Sequence, residues 1–167
     1  MSSDLETFES SAAGPSTVHR TTADAFEETL EEAVATPAVG VPLPFEGVGL
    51  AETPVETDFA PSDLTAAETG VTPVGLGVAD YGSVTVESTA NGAELVSLYP
   101  PRHVAVLAAS DIEPDMPAAL DTLEAAIADD GRSRVLATGP SSTADMGTLV
   151  QGVHGPKAVH VVVLEDR

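Results

Sequence analysis

The spacing of apolar residues predicts strands and helices that alternate along the second half of the chain. Nearly continuous apolar runs cover residues 103–109, 134–138 and 158–164, which is typical of strands buried on both faces of a sheet. Helical spacing predicts a helix over residues 117–129, and another helix is expected over residues 143–151. Strands that alternate with helices connect by right-handed crossovers, so the pattern predicts an α/β fold with a parallel sheet at its core.

The first half gives weaker signals. Residues 1–20 are rich in Ser, Thr and Glu and predict a disordered or loosely ordered tail, in which residues 5–8 could form a short helix. Apolar residues at helical spacing then predict an amphipathic helix over residues 23–34 that ends before Pro37. Prolines limit the following forty residues to short elements. These are predicted strands at residues 39–41 and 48–50 and a helix within residues 63–69.

A hairpin is predicted around Asn91-Gly92. This dipeptide favours a two-residue turn between strands, and it lies between apolar segments at residues 83–87 and 95–98. The two segments are therefore expected to pair. A chain of 167 residues is also of the usual size for one domain, which we expect over residues 21–167.

Acidic residues dominate the charge of the chain. There are 27 Asp and Glu against 6 Lys and Arg, which gives a formal net charge of −21. Nucleic acid and anionic membranes are polyanions, so the charge argues against unaided binding to either. With Lys157 as the sole lysine, the composition favours a folded protein from a halophilic, salt-rich cytoplasm, where counterions screen the repulsion. An acidic mimic of nucleic acid is the alternative.

Two absences in the sequence bear on compartment and chemistry. No targeting segment and no apolar run long enough to span a bilayer is visible, so we expect a cytoplasmic protein. The sequence contains no cysteine, which excludes disulfides and cysteine-ligated zinc or iron–sulfur clusters within these residues. Its four histidines lack the helical spacing of a zinc pair, so no metal site is predicted.

The first candidate site follows the predicted strand over residues 134–138. A helix N-terminus there would offer free N–H groups to a carboxylate or phosphate, at the strand end where parallel sheets bind ligands. Asp145 is a candidate catalytic carboxylate in this segment. The candidate ligand contacts are Gly139, Ser141, Ser142 and Thr143. The alternative is a plain capping box formed by Ser142 and Asp145.

The second candidate site is the turn over residues 152–156. A histidine on a rigid turn suits acid–base work or anion binding, which makes His154 a candidate catalytic residue. The alternative is that His154 only hydrogen-bonds the backbone of its turn. Gly155 is a candidate ligand contact within the turn, and Lys157 is a candidate anion contact directly after it.

A third group of candidate ligand contacts lies upstream. Asp80 and Ser83 flank a glycine turn, and Arg102 could bind a carboxylate in bidentate fashion. Arg102 could equally pair with one of the many acidic side chains of this protein. His160 is expected to pack along its strand.

Ordered motifs over residues 62–165 resemble the LUD-domain family, which includes lactate utilization protein C (LutC). The motifs are Gly70-Val-Thr72, Val78-Ala-Asp-Tyr-Gly-Ser83, Ser97-Leu-Tyr-Pro-Pro101, Thr138-Gly-Pro-Ser-Ser-Thr-Ala-Asp145, Leu149-Val-Gln-Gly-Val-His-Gly-Pro156 and Val159-His-Val-Val-Val-Leu164. The family usually has Arg, Glu and Thr where this chain has Ser142, Gly147 and Tyr81. Loss of that Arg removes a planar carboxylate binder.

The resemblance implies a three-layer fold of the NagB/RpiA/CoA-transferase-like group. It also implies a subunit or accessory protein of an L-lactate oxidation system that binds a small carboxylate or a partner at the sheet edge. The iron–sulfur clusters of such a system belong to partner proteins, and no cofactor is expected on this chain. Two alternatives remain: a free-standing enzyme acting on a phosphate- or CoA-bearing molecule, and a non-catalytic interaction module.

Overall fold

The computed structural model describes residues 2–167, without the side chains of Ser2 and Asp145. The α-helices in this range are α1 (Ser2–Ala12), α2 (Phe26–Ala33), α3 (Pro61–Ala66), α4 (Ala93–Leu98) and α5 (Met116–Asp130). The strands are β1 (Thr17–Thr21), β2 (Ala38–Gly40), β3 (Val55–Glu56), β4 (Thr69–Pro73), β5 (Gly77–Val78), β6 (Ser83–Glu87), β7 (Arg102–Ala108), β8 (Ile112–Glu113), β9 (Arg134–Ala137), β10 (Ser142–Asp145), β11 (Thr148–Gln151) and β12 (Ala158–Leu164).

A six-stranded sheet forms the centre of the fold. Its order is β1-β12-β7-β4-β2-β3, and every neighbouring pair is parallel. The apolar runs that predicted strands at residues 103–109 and 158–164 are β7 and β12, which pair along their whole length. This confirms the predicted α/β fold with a mainly parallel sheet.

Both faces of this sheet are covered. On one face, Phe26 and Leu30 of α2 pack against Val104, Val106 and Val162. On the other face, the core lies between the central sheet and a second, four-stranded sheet with the order β8-β5-β6-β9. The outer side of the second sheet carries α5, whose buried residues are Ala119 and Leu123. Of the described helices, none is long and apolar enough to cross a membrane.

The prediction of a loosely ordered tail was wrong for the described residues 2–20, where α1 extends well beyond the short helix expected at residues 5–8. Leu5, Phe8 and Ala12 of α1 lie on one helical face and are buried in the core between the two sheets. The following strand β1 adds to the edge of the central sheet by pairing with β12. Ser and Glu fill the other positions of α1, so the segment looks polar although every third or fourth residue is buried.

Two elements of the second half also differ from the prediction. Strand β9 is not buried in the parallel sheet but is the antiparallel edge of the second sheet, where Val135 and Leu136 are exposed. An apolar run of four residues does not reveal which sheet it joins. In α5, helical spacing predicts a buried side formed by Leu120, Leu123, Ala126 and Ile127. Leu123 is buried, whereas Leu120 and Ile127 are exposed.

The predicted hairpin at Asn91-Gly92 is also absent, because residues 93–98 form helix α4. Its buried apolar residues Ala93 and Val96 are three apart, which is helical rather than strand spacing. The helix packs tightly on β4, since a Cβ at Gly70 would overlap the carbonyl oxygen of Val96. In the first half, the expected strand at residues 48–50 is likewise absent, whereas β2 and α3 lie close to their predicted positions.

The helix expected over residues 143–151 is an antiparallel hairpin instead. Its strands β10 and β11 are joined by Met146 and Gly147, whose φ angles are 49° and 81°. Positive φ at both central residues is typical of the two-residue turns that connect antiparallel strands. Glycine adopts this conformation without strain, so Gly147, at the position where the family usually has Glu, suits the turn.

If α1 belongs to the core, truncating its central aromatic side chain should destabilise the whole domain. Phe8 is fully buried, so Phe8→Ala should lower the free energy of unfolding by about 3–5 kcal/mol. Urea denaturation followed by circular dichroism measures this loss. Glu6→Ala changes an exposed residue of the same helix and should stay within about 0.5 kcal/mol of the wild type. Equal stability of both variants would mean that α1 is not part of the core.

Candidate functional site

A cavity of about 250 Å³ lies between the two sheets and is closed on one side by α4. Most of its wall is apolar and comes from both sheets and from α4. The apolar side chains are Val84, Val86, Leu98, Val135, Leu136, Ala137, Pro140, Pro156, Val159 and Val161. The polar side chains are Ser16, Glu94, Ser97, His103, Thr138, Ser141 and His154. Apolar walls with a few polar groups are the usual character of a small-molecule site.

The cavity lies at the amino ends of the central strands. His103 and Val159 are each the second residue of their strands, β7 and β12, and they are direct neighbours in the sheet. The sequence-based expectation placed the site at the carboxyl end of a parallel strand, before a helix N-terminus. That helix is absent, so neither the predicted N-terminal anion site nor the predicted capping box exists.

Four of the candidate residues meet at this cavity. Gly139 and Ser141 lie on one lining segment, and His154 and Gly155 lie on the other. Backbone hydrogen bonds join the two segments: the Ser141 amide donates to the Pro156 carbonyl at 2.9 Å, and the Gly152 amide donates to the Ser141 carbonyl at 2.8 Å. The ring of His154 is exposed and has no hydrogen bond to a described residue, so it is free to contact a ligand.

The remaining candidates of the hairpin segment lie outside the lining. Ser142 and Thr143 are on β10, and the side chain of Asp145 lies outside the described residues. Lys157 is exposed and its aliphatic stem packs close to Gly152. A lysine in this position does not contribute a positive charge to the cavity wall.

The three upstream candidates have structural surroundings of their own. Asp80 is exposed in the turn before β6, and its amide donates to the Pro114 carbonyl at 3.2 Å. Ser83 is hydrogen-bonded through its hydroxyl to Thr138, a lining residue, at 2.5 Å. Arg102 donates from Nη1 to the Ala33 carbonyl at 2.9 Å, so it neither lines the cavity nor pairs with an acid there.

Sequence reasoning did not select His103 as a site residue, although it is the most buried polar side chain of the lining. It is 3 % exposed, and its Nε2 is 2.8 Å from the hydroxyl oxygen of Thr72. Burial lowers the pKa of His103 to about 4, because the charged imidazolium would lose its hydration. The ring is therefore neutral near pH 7. His103 stands at the start of an apolar strand, where the sequence gives no sign of a cavity.

His160 does pack along its strand, as expected, but it also has a partner. Its Nδ1 is 2.9 Å from Nε2 of His19 on β1, and the two rings lie nearly parallel, 14° apart. Burial lowers the pKa of His160 to about 4, with smaller contributions from the nearby charges of Arg102 and His19. Since neither histidine lines the cavity, this pair joins β1 to β12 rather than contributing to the site.

The charges of the lining restrict the ligands it could hold. Among the described lining residues, Glu94 is the sole carboxylate, and there is no lysine or arginine. No group of three or more His, Asp or Glu among the described residues is placed to hold a metal ion. Hydroxyl groups, two imidazoles and one carboxylate can together exchange hydrogen bonds with a small polar molecule.

The structure thus defines an α/β protein with a small, mainly apolar cavity between a parallel and a mixed sheet. The second sheet covers one face of the central sheet, so the arrangement differs from the expected three layers with helices on both faces. The family model of the LUD domain matches residues 7–164 of this sequence. The chain belongs to the LUD domain family.

Curated relatives and a solved structure are similar to this chain. Lactate utilization protein C of Deinococcus radiodurans is 26 % identical over 75 % of this chain and 59 % of its own length. Its counterpart in Bacillus licheniformis is 36 % identical over 60 % of this chain and 44 % of its own length. The chain therefore spans about half the length of these relatives. The crystal structure of a DUF162 family protein from Deinococcus radiodurans has a TM-score of 0.75, 19 % identity and 98 % coverage of both chains, which shows a common fold.

The buried, neutral His103 should make stability depend on pH. An unfolded histidine has a pKa near 6.5 and His103 has one of about 4, so between these values the unfolded chain binds more protons. The contribution is complete above pH 6.5 and is lost as the pH falls toward 4, by up to about 3 kcal/mol. Urea denaturation at pH 7 and pH 5 measures it. His103→Gln should show a smaller loss than the wild type, and equal losses in both would contradict a buried neutral ring.

Proposed function

We propose that this chain is a LutC-like subunit or accessory protein of an L-lactate oxidation system and that its cavity binds a small carboxylate. The cavity, with two histidines and few charges, is the observation that carries the ligand part of the proposal. Membership of the LUD domain family and similarity to proteins named lactate utilization protein C support the cellular role. Redox chemistry in this proposal belongs to iron–sulfur partner proteins, and this chain holds no cofactor of its own.

The size and chemistry of the cavity favour a small ligand. Its volume of about 250 Å³ lies below the roughly 300–1,000 Å³ common for drug-sized ligands. A hydroxy acid such as lactate presents carboxylate oxygens to hydrogen-bond donors and a hydroxyl that can donate to Glu94. His154 and Ser141 can supply donors to the carboxylate, since both line the cavity and neither side chain has a hydrogen bond to a described residue.

The alternative of an enzyme acting on a phosphate- or CoA-bearing molecule fits the cavity less well. Such ligands carry several negative charges, and proteins usually bind them with Lys, Arg or a helix N-terminus. The described lining has no lysine or arginine and adds the negative charge of Glu94 in the first turn of α4. A small monoanion is therefore the better match.

L-Lactate or pyruvate should raise the melting temperature of the isolated protein in proportion to the logarithm of ligand concentration. His154→Ala should weaken the affinity about tenfold, equal to about 1.4 kcal/mol of binding free energy. It should leave stability within about 0.5 kcal/mol of the wild type, because the ring is exposed. Differential scanning fluorimetry in molar salt gives both values.

Gln151→Ala is the matched control for this experiment. Gln151 is an exposed residue on the strand preceding the same turn and does not line the cavity. Its variant should bind like the wild type. Stabilisation by coenzyme A that exceeds stabilisation by lactate would favour the alternative enzyme function instead.

A second part of the proposal concerns the partner. Residues 131–164 contain three basic residues and one acidic residue, whereas the whole chain has 27 acidic residues among 167. The same segment exposes apolar side chains around and beyond the cavity mouth, including Leu136 and Leu149, which are 43 % and 67 % exposed. An apolar surface with little acidic charge can meet another protein at little electrostatic cost. We assign it to contact with the iron–sulfur partner of the lactate-oxidising system.

Replacing an exposed leucine of this surface should weaken the partner complex. Leu149→Ser should reduce the recovery of iron–sulfur proteins in affinity purification from a native-like host about tenfold, while stability changes by no more than about 0.5 kcal/mol. Leu120→Ser is the control, because Leu120 is 54 % exposed on α5, outside residues 131–164. Recovery that is unchanged by Leu149→Ser, or equally reduced by both variants, would contradict the assignment.

A further inference from the structure

The deepest polar group of the cavity is the imidazole of His103, and its two nitrogens have different surroundings. Nε2 is 2.8 Å from Oγ1 of Thr72. Nδ1 has no hydrogen bond to a described residue. Among the described residues, every side-chain nitrogen or oxygen that is fully buried does have a hydrogen-bond partner, so Nδ1 is not one of the fully buried atoms. Nδ1 is therefore not enclosed by protein atoms. Since His103 lines the cavity, Nδ1 faces the cavity space.

The hydroxyl of Thr72 determines which nitrogen carries the proton. Thr72 is fully buried, and its hydroxyl has no described partner besides His103. If the hydroxyl oxygen accepted a hydrogen bond from Nε2–H, its own hydrogen would be buried without an acceptor, which is unfavourable. If the hydroxyl donates to Nε2, both groups are satisfied. Nε2 is then the acceptor, and the single proton of the neutral ring is on Nδ1.

We propose that His103 presents Nδ1–H into the cavity as a fixed, neutral hydrogen-bond donor and that this donor binds an oxygen acceptor of a small carboxylate or carbonyl ligand. Thr72 acts as the positioning residue that selects the tautomer. The ligand part of this inference rests on the proposed function of the same cavity. The tautomer part does not, because it depends on Thr72 and His103 alone.

The position of the donor fits such a ligand. His103 is buried in the lining of the cavity, whereas His154 is exposed, so the two rings present donors at different depths of one cavity. A neutral donor favours an acceptor oxygen and gives no long-range attraction to polyanions. Burial holds the pKa of His103 at about 4, so the donor keeps its form throughout the neutral range.

The test begins with the wild-type protein and needs no variant. Long-range proton–nitrogen NMR of 15N-histidine-labelled protein at pH 7 identifies the protonated nitrogen of each ring, with His103→Gln used for assignment. We expect the proton of His103 on Nδ1. Acetate, L-lactate and pyruvate are then titrated as probes, and at least one should shift the His103 Nδ1–H signal. A proton on Nε2 would overturn the proposal, and so would an Nδ1–H signal that none of the three probes moves.

Two variants separate positioning from folding. Thr72→Ser keeps the hydroxyl and should retain both the tautomer and the affinity for whichever probe shifts the signal. Thr72→Val has a similar shape without the hydroxyl, so the fixed tautomer should be lost and the affinity should fall about tenfold. If Thr72→Ser and Thr72→Val had the same His103 tautomer and the same affinity, Thr72 would not be the residue that selects the tautomer. If acetate shifts the signal but lactate and pyruvate do not, the donor stands and the proposed lactate-related function fails.

Discussion

The pairing of β7 with β12 is the constraint on which the rest of the structure depends. The two strands lie side by side in the middle of the parallel sheet, and their apolar residues alternate between its two faces. Each face must therefore be covered by other parts of the chain. Helix α2 and the segment after β2 cover one face, and the second sheet covers the other together with α1. A chain of 167 residues has few segments that can cover two faces of a sheet, so α1 also contributes to the core.

The cavity is a consequence of this arrangement. The two sheets pack closely where β7 contributes Ala105 and Leu107 to the shared core. Two residues before Ala105, the same face of β7 carries His103, whose polar ring does not continue the apolar core. Helix α4 closes this end because Gly70 lets its backbone come close to β4. The site therefore lies where the core of the two-sheet sandwich ends.

The elements that the sequence predicted correctly have a local pattern, whereas those it did not predict depend on contacts with distant parts of the chain. Strands β7 and β12, the strand β6 and helices α2 and α5 have local patterns strong enough to be recognised, and they lie close to their expected residues. Helix α1 and the hairpin β10–β11 were missed because their form depends on what they pack against or on a turn conformation. Strand β9 was predicted as a strand but assigned to the wrong sheet. The apolar run at β9 could equally fit a buried strand, and only its pairing with β6 makes it an edge.

The same contrast between local patterns and distant contacts explains why only part of the candidate site was predicted. The Gly-rich turns that carry Gly139, Ser141, His154 and Gly155 have a distinct sequence pattern, and the fold brings these residues to one cavity. The roles assigned to Ser142 and Arg102 depended on partners that the sequence does not reveal. His103 was missed because a histidine at the start of an apolar run looks like a core residue. Its contact with Thr72 connects β7 with the neighbouring strand β4 and is visible only in the folded sheet.

The strong negative charge of the chain limits how a carboxylate can be recognised. At −21, the molecule repels anions at long range, and the described lining has no lysine or arginine to oppose this. Recognition must then come from short hydrogen bonds made by neutral groups such as His103 and Ser141. In molar salt the Debye length falls to about 3 Å, which screens the repulsion but leaves hydrogen bonds inside a cavity largely intact. An acidic surface is therefore compatible with the proposed binding of a carboxylate in salt-rich solution.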